Sequence, residues 1–202
     1  MSNSVAPAVA APRADARRSA LVRAQISLYV GAAAAAALAA IVLVVPISSD
    51  DGAFHHVGDY VVTANGIPFV LAPAILLPAL RTLQQRRDGR LGLAGIVAMG
   101  AGALVLAGMF VYGVIAATGG SLGPTYVIAS VVTIVGLILF AIGSWGARLL
   151  PRWLLVAWPI AWTIGGTLPF WGPGPVLLVA AYVAIAVVLP RRLAALGQPA
   201  GN

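Results

Sequence analysis

The sequence predicts an all-α protein, a polytopic transmembrane bundle of six helices with both the N-terminus and the C-terminus in the cytoplasm. Apolar residues make up 61% of the chain and charged residues only 8%, whereas a soluble domain carries roughly a quarter charged residues. The apolar residues form long runs, and all twelve basic residues are arginines that lie in alternate gaps between those runs. This asymmetry is the positive-inside pattern of a multi-pass protein of a plasma (cytoplasmic) membrane, here a bacterial inner membrane.

The elements follow in order along the chain. Residues 1–20 are rich in Ala, Pro and Arg and are predicted to form a disordered cytoplasmic tail. Residues 21–192 form the transmembrane domain, and residues 193–202 form a short cytoplasmic tail. Helices are required because unpaired backbone amides are too costly in lipid. The predicted spans are 24–46, 60–80, 91–117, 125–147, 153–169 and 174–190.

The arginines define the predicted orientation. They occupy the segments before the first span, between the second and third, between the fourth and fifth, and after the sixth. These arginines are Arg13, Arg17, Arg18, Arg23, Arg81, Arg86, Arg87, Arg90, Arg148, Arg152, Arg191 and Arg192. The remaining gaps contain no basic residue, which places those gaps outside.

Composition also excludes several classes of chemistry. The chain has no cysteine, so disulfides, thiolate metal sites and cysteine nucleophiles are excluded. No Asp, Glu, Lys, Arg or His lies inside a predicted span, which argues against proton pumps, ion-coupled carriers and membrane-embedded haem. We therefore predict no cofactor and no enzymatic activity.

The net charge of +7 raises the question of partners. Because the arginines are scattered over membrane-flanking segments, they indicate membrane lipids and not nucleic acid as the partner. Small residues at helical spacing, as in Gly31, Ala35 and Ala39, predict close helix packing within the bundle. Such faces also allow a membrane protein partner or a homo-oligomer.

The first outer loop contains most of the remaining ionisable groups. Its residues are Asp50, Asp51, His55, His56 and Asp59. Imidazole and carboxylate together suit zinc or another transition metal, although the spacing matches no closed-site pattern. A solvated polar loop is the simpler interpretation.

The second outer loop contains the formal G-x-S-x-G pattern around Ser121. In hydrolases this pattern forms a turn between a strand and a helix, whereas here it joins two membrane helices. A hydrolytic site that combines Ser121 with His55 or His56 is the corresponding alternative, and a glycine-rich turn is the simpler one.

The second and fifth spans are interrupted by proline and glycine. Pro68 and Pro78 in one, and Pro159 and Pro169 in the other, predict kinked or broken helices. In inverted-repeat transporters such helices line a substrate site at the midplane.

If such a site exists, its substrate-binding residues are predicted to be Asn65, Thr63, Trp158 and Trp162. Hydrogen bonding between helices and aromatic packing are the simpler interpretations of these residues.

Two stretches near the C-terminal third carry a resemblance. They are Ile-Leu-Phe-Ala-Ile-Gly at 138–143 and Arg-Leu-Leu-Pro-Arg-Trp-Leu at 148–154. The pattern resembles that of small six-helix integral membrane proteins of bacteria, common in actinobacteria and including DUF4386-like families. The resemblance implies a six-helix membrane fold and carries no catalytic residue.

Three functional classes follow. The preferred one is a non-catalytic membrane component, such as an accessory subunit, scaffold or sensor, because buried ionisable groups are lacking. The alternatives are a small permease for a neutral solute and an outer-face metal-binding or hydrolytic protein that uses His55 and His56.

Overall fold

The computed structural model describes residues 11–44, 52–119, 123–167 and 173–197, and these residues are almost entirely helical. The described residues form six helices in succession, and a short 3-10 turn at Ser144–Gly146 extends the fourth. The helices are α1 (Ala11–Val44), α2 (Val57–Leu83), α3 (Gly89–Ala116), α4 (Gly123–Gly143), α5 (Arg152–Thr167) and α6 (Pro173–Gly197). The prediction of an all-α fold is confirmed for the described part of the chain.

Five of the helices are long and apolar enough to cross a membrane, namely α1, α2, α3, α4 and α6. The chain is therefore a multi-pass membrane protein by the length and composition of its helices. The exception, α5, has 16 residues and is roughly 24 Å long, less than the ~30 Å hydrocarbon core. The predicted fifth span ended at Pro169, which lies outside the described residues.

The first and last helices extend beyond the predicted spans. Residues 11–20, predicted as a disordered tail, are helical in α1, and α6 continues into the segment predicted as the C-terminal tail. The predicted spans end where the apolar run gives way to arginines. The helix can continue past that point because Ala and Arg are among the best helix formers. Ala20 is fully buried at the end of this extension, whereas residues 15–19 are exposed or half-buried.

The prolines do not interrupt α2 or α5. The helix α2 is continuous although it contains Pro68, Pro73 and Pro78, and α5 is continuous through Pro159. Within the described residues neither helix is broken at these prolines, and the predicted kinks stay a prediction. Each proline removes one backbone donor, and the hydrogen bonds of the remaining residues are enough to continue the helix.

The helices form a closed ring. Each packs against its neighbours in sequence, and α1 also packs against α6. The α3–α4 pair has the most extensive contact, and α4–α5 has the least extensive contact among the neighbouring helices. Side chains from all six helices contribute to one buried core inside this ring.

Two sets of loop contacts define the ends of the bundle. At one end, which we call the arginine face, Ser144 Oγ donates to Oε1 of Gln84 at 3.2 Å and so connects the α2–α3 and α4–α5 turns. At the other end, the opposite face, the amide of Phe54 donates to the carbonyl of Ala117 at 2.9 Å. The amide of Gly119 donates to Gly52 O at 2.6 Å in the same place, so the loops preceding α2 and following α3 are in direct contact.

The α3–α4 interface depends on glycines. A Cβ added at Gly95 would lie 2.5 Å from the amide nitrogen of Phe140 and 2.6 Å from the carbonyl of Gly136. A Cβ added at Gly102 would lie 2.8 Å from the carbonyl of Ala129, so the backbones of the two helices are nearly in contact. Small residues allow this approach where no hydrophobic drive exists between helices.

The predicted small-residue face of α1 is also used in packing. Gly31 faces the ring of Tyr182 on α6, and a Cβ at this glycine would lie 2.8 Å from Tyr182 Cζ. Ala35 is fully buried.

Candidate functional site

Asn65, the preferred polar residue for a substrate site, makes a contact between helices. Its Nδ2 donates to the carbonyl oxygen of Ala34 on α1 at 2.8 Å. Thr63, two residues earlier, directs its Cγ2 toward Gly113 on α3. The structure therefore places both predicted residues at helix interfaces on either side of α2.

The two tryptophans of α5 lie inside the ring. The Trp162 ring stacks on Phe69 of α2, with centroids 4.9 Å apart and an interplanar angle of 26°. Trp158 meets Tyr182 of α6 edge to face at 6.4 Å. Trp158 and Trp162 are almost completely buried, at 0% and 3% exposure, so the predicted aromatic stripe forms the packed centre of the bundle.

A small cavity adjoins the Phe69–Trp162 stack. It has a volume of about 30 Å³ and is lined by residues of α2, α3, α4 and α5, among them Phe69, Trp162, Ser130 and Thr133. This is the space of about one water molecule. Of the four predicted substrate-binding residues, Trp162 lines it and Asn65, Thr63 and Trp158 do not.

The buried hydroxyl of Thr133 is already used within its own helix. Its Oγ1 donates to the carbonyl of Ala129 at 2.8 Å. Thr163 on α5 bonds to the carbonyl of Pro159 in the same way, at 2.8 Å. Each of these hydroxyls donates to a carbonyl one turn earlier in its own helix, as serine and threonine hydroxyls commonly do in membrane helices.

Asp59, a predicted metal ligand, caps α2. Its Oδ2 accepts the backbone amides of His55 at 3.0 Å and His56 at 2.9 Å, and the residue is only 4% exposed. A carboxylate at the third helical position that reaches back to the residues before the helix satisfies amides that have no partner within the helix. His55 and His56 are exposed beside it.

The remaining members of the outer sites lie beyond the described residues. Asp50, Asp51 and Ser121 are all in this category. Within residues 11–44, 52–119, 123–167 and 173–197, no group of three or more His, Cys, Asp or Glu side chains is arranged to hold a metal ion. The metal and hydrolytic hypotheses stay predictions.

A polar cluster on the arginine face was not anticipated from the sequence. Arg81 donates to Oδ2 of Asp88 at 2.5 Å and to the carbonyl of Gly89 at 3.0 Å. The Asp88 side chain is fully buried, and Gln84 lies buried nearby with its bond to Ser144. One signal was available, because Asp88 is the sole acidic residue between the second and third spans and follows Arg81 by seven residues.

A second unanticipated feature is an apolar groove between α4 and α5, with a volume of about 370 Å³. It opens outward between the least tightly packed neighbouring helices. Its lining includes Ile138, Ile142, Trp145, Val156, Ile160 and Thr163. At the mouth of the groove, the guanidinium of Arg152 lies 5.5 Å from the centroid of the Trp145 ring. No sequence pattern marks this groove, because it exists only where two helices diverge.

Comparison with protein-family models, with curated proteins and with solved structures finds no match to this chain. The resemblance of the last third to six-helix bacterial membrane proteins therefore stays an expectation. Function must be argued from the arrangement of the residues themselves.

Proposed function

We propose that this chain is a non-catalytic multi-pass membrane component of the accessory-subunit, scaffold or sensor class. The observation that supports this proposal is the packed aromatic centre of the ring, where Phe69 stacks on Trp162 and Trp158 contacts Tyr182. A protein that translocates a solute needs a polar path through its centre, and the described residues fill that position with buried rings.

The volume of the cavity beside the central aromatic stack supports the same choice. A neutral solute larger than water does not fit in a cavity of about 30 Å³, whereas ligand sites usually measure ~300–1,000 Å³. The stacked pair of Phe69 and Trp162 borders that cavity. Solute passage would require these rings to separate.

Three polar side chains of the helices make hydrogen bonds to backbone carbonyls. Asn65 bonds to Ala34 O, and the hydroxyls of Thr133 and Thr163 bond within their own helices. A hydrogen bond between helices, such as that of Asn65, contributes on the order of 0.6 kcal/mol. Polar side chains that hold helices together suit a scaffold. In a permease, polar side chains would instead line the path of the solute.

A flux assay tests the proposal against the permease. The purified chain is reconstituted in liposomes, and the uptake of glycerol and erythritol is followed by stopped-flow light scattering. We expect the rate to equal that of protein-free liposomes. Faster uptake that is abolished by Asn65→Leu and retained by Thr82→Val would replace the proposal with the permease, since Thr82 is exposed and bonds to Pro78 O of its own helix.

A second measurement tests the accessory role directly. The chain is isolated gently from its native membrane, and the complex is analysed by mass spectrometry for proteins, small molecules and metals together. We expect a membrane protein partner in stoichiometric amount. A stoichiometric metal that disappears when His55→Ala and His56→Ala are combined would instead support the outer-face metal site.

A further inference from the structure

The groove between α4 and α5 has the dimensions of one leaflet. Along α4 and the 3-10 turn after it, the lining extends from Ile138 to Trp145, about 10 Å, and along α5 from Leu155 to Ile164, about 14 Å. Half of a ~30 Å hydrocarbon core is about 15 Å. The groove therefore extends from the arginine face to about the middle of the membrane.

The lining is that of an acyl-chain site. Ile142 and Ile160, on the two walls, are 54% and 52% exposed in the isolated chain, and Thr163 is the only hydroxyl among the lining residues. The Thr163 hydroxyl bonds to the carbonyl of Pro159, so it presents little polarity to an occupant. The contact between α4 and α5 is limited, which leaves room for a chain between them.

The mouth of the groove is cationic. Trp145 lines the groove and also holds the guanidinium of Arg152 at 5.5 Å from its ring, in a cation–π geometry. Arg148 is exposed in the same turn between α4 and α5. The salt bridge described for this face joins Arg81 to Asp88 and uses neither of these guanidinium groups.

We propose that the α4–α5 groove and Arg152 form a binding site for an anionic phospholipid of the leaflet on the arginine face. One acyl chain lies in the groove, and the phosphate pairs with Arg152, with Arg148 contributing to the positive field. Charge complementarity selects the anionic headgroup, because basic sites between helices at this depth attract anionic lipid. Burial of the acyl chain by the apolar walls supplies the other part of the affinity.

The test uses native mass spectrometry of the full chain in detergent, incubated with dioleoylphosphatidylglycerol or with dioleoylphosphatidylcholine. The two lipids have identical acyl chains and differ in headgroup charge. We expect preferential retention of phosphatidylglycerol and about fivefold weaker retention in Arg152→Gln, the effect of about one surface arginine. Arg192→Gln is the matched control, because Arg192 is an exposed arginine of α6 and its loss removes the same charge.

Three outcomes would overturn the proposal. One is equal retention of the two lipids by the wild-type chain. Another is equal loss in Arg152→Gln and Arg192→Gln, which would show a diffuse charge effect. The third is full displacement of the lipid by glycerol 3-phosphate, which would show a headgroup site without the groove. Thermal stabilisation of the wild-type chain by phosphatidylglycerol but not phosphatidylcholine tests the same preference without any substitution.

Discussion

At the scale of single residues, two polar side chains that the sequence marked as candidate binding groups form hydrogen bonds with the backbone. Asp59 accepts the amides of His55 and His56, and Asn65 donates to a carbonyl of the neighbouring helix. A backbone N–H or C=O group without a hydrogen-bond partner costs free energy when it is buried away from water. The few polar side chains are therefore needed where helices begin or where they meet. From the sequence, Asp59 was predicted as a metal ligand and Asn65 as a substrate-binding residue. In the structure, both side chains form hydrogen bonds with the backbone.

Replacement of Asp59 tests its role as a cap. We expect Asp59→Ala to lower the free energy of unfolding by about 1–2 kcal/mol, because two backbone amides at the start of α2 lose their acceptor. Asp59→Asn keeps one side-chain carbonyl and should lose less. Thermal unfolding in detergent, followed by circular dichroism, measures both. Unchanged stability of Asp59→Ala would contradict the role of this carboxylate as a cap.

At the scale of elements, the glycines of α3 divide into two groups that the sequence does not distinguish. Gly95 and Gly102 lie against the backbone of α4, whereas an added Cβ at Gly100 or Gly108 would meet nothing within 4 Å. All four lie in one apolar helix. Their surroundings depend on the direction in which each residue points within the ring.

A pair of substitutions tests this division. We expect Gly95→Ala to destabilise the protein by about 1–3 kcal/mol, because the added methyl meets backbone atoms of Phe140 and Gly136 that cannot rotate away. Gly100→Ala should leave stability unchanged or raise it by up to about 1 kcal/mol through helix propensity. Unfolding of the two variants under identical conditions gives the comparison. Equal effects would contradict the α3–α4 packing described above.

At the scale of the whole molecule, the two ends of the ring differ in charge and in connection. The opposite face holds the contact between the loops around Phe54 and Ala117, and the arginine face holds the contact between Gln84 and Ser144. The positive-inside pattern predicts that the arginine face is cytoplasmic. The arginine face also contains the mouth of the groove, so the proposed lipid belongs to the leaflet that is rich in anionic headgroups.

The absence of cysteine makes this orientation directly measurable. Val57→Cys places a thiol at the opposite face, where Val57 is 78% exposed, and Ala195→Cys places one near the exposed end of α6. We expect a membrane-impermeant maleimide to label Val57→Cys in intact cells and to label Ala195→Cys only after permeabilisation. The reverse pattern would invert the topology, and labelling of both in intact cells would place the two ends on the same side.

The sequence by itself determined the solvent of this protein and most of its helices. The apolar runs and the arginines between them can be read directly along the chain, and they predict helices that cross a membrane. Among the described residues, five helices are long and apolar enough to do so. The same measure predicted the wrong end for α1 at residues 11–20, because helix formation depends on backbone hydrogen bonds and packing as well as on apolarity. The sequence also predicted kinked or broken helices at Pro68 and Pro159, and both helices continue through these prolines in the structure.

Only the tertiary structure decided which residues meet. Trp162 and Phe69 are distant in the chain and stack at the centre because the ring brings α2 and α5 together. The groove beside Arg152 likewise arises from the separation between α4 and α5. Spacing along a helix defines its faces but not the neighbour that each face contacts, since that choice depends on the packing of all six helices at once.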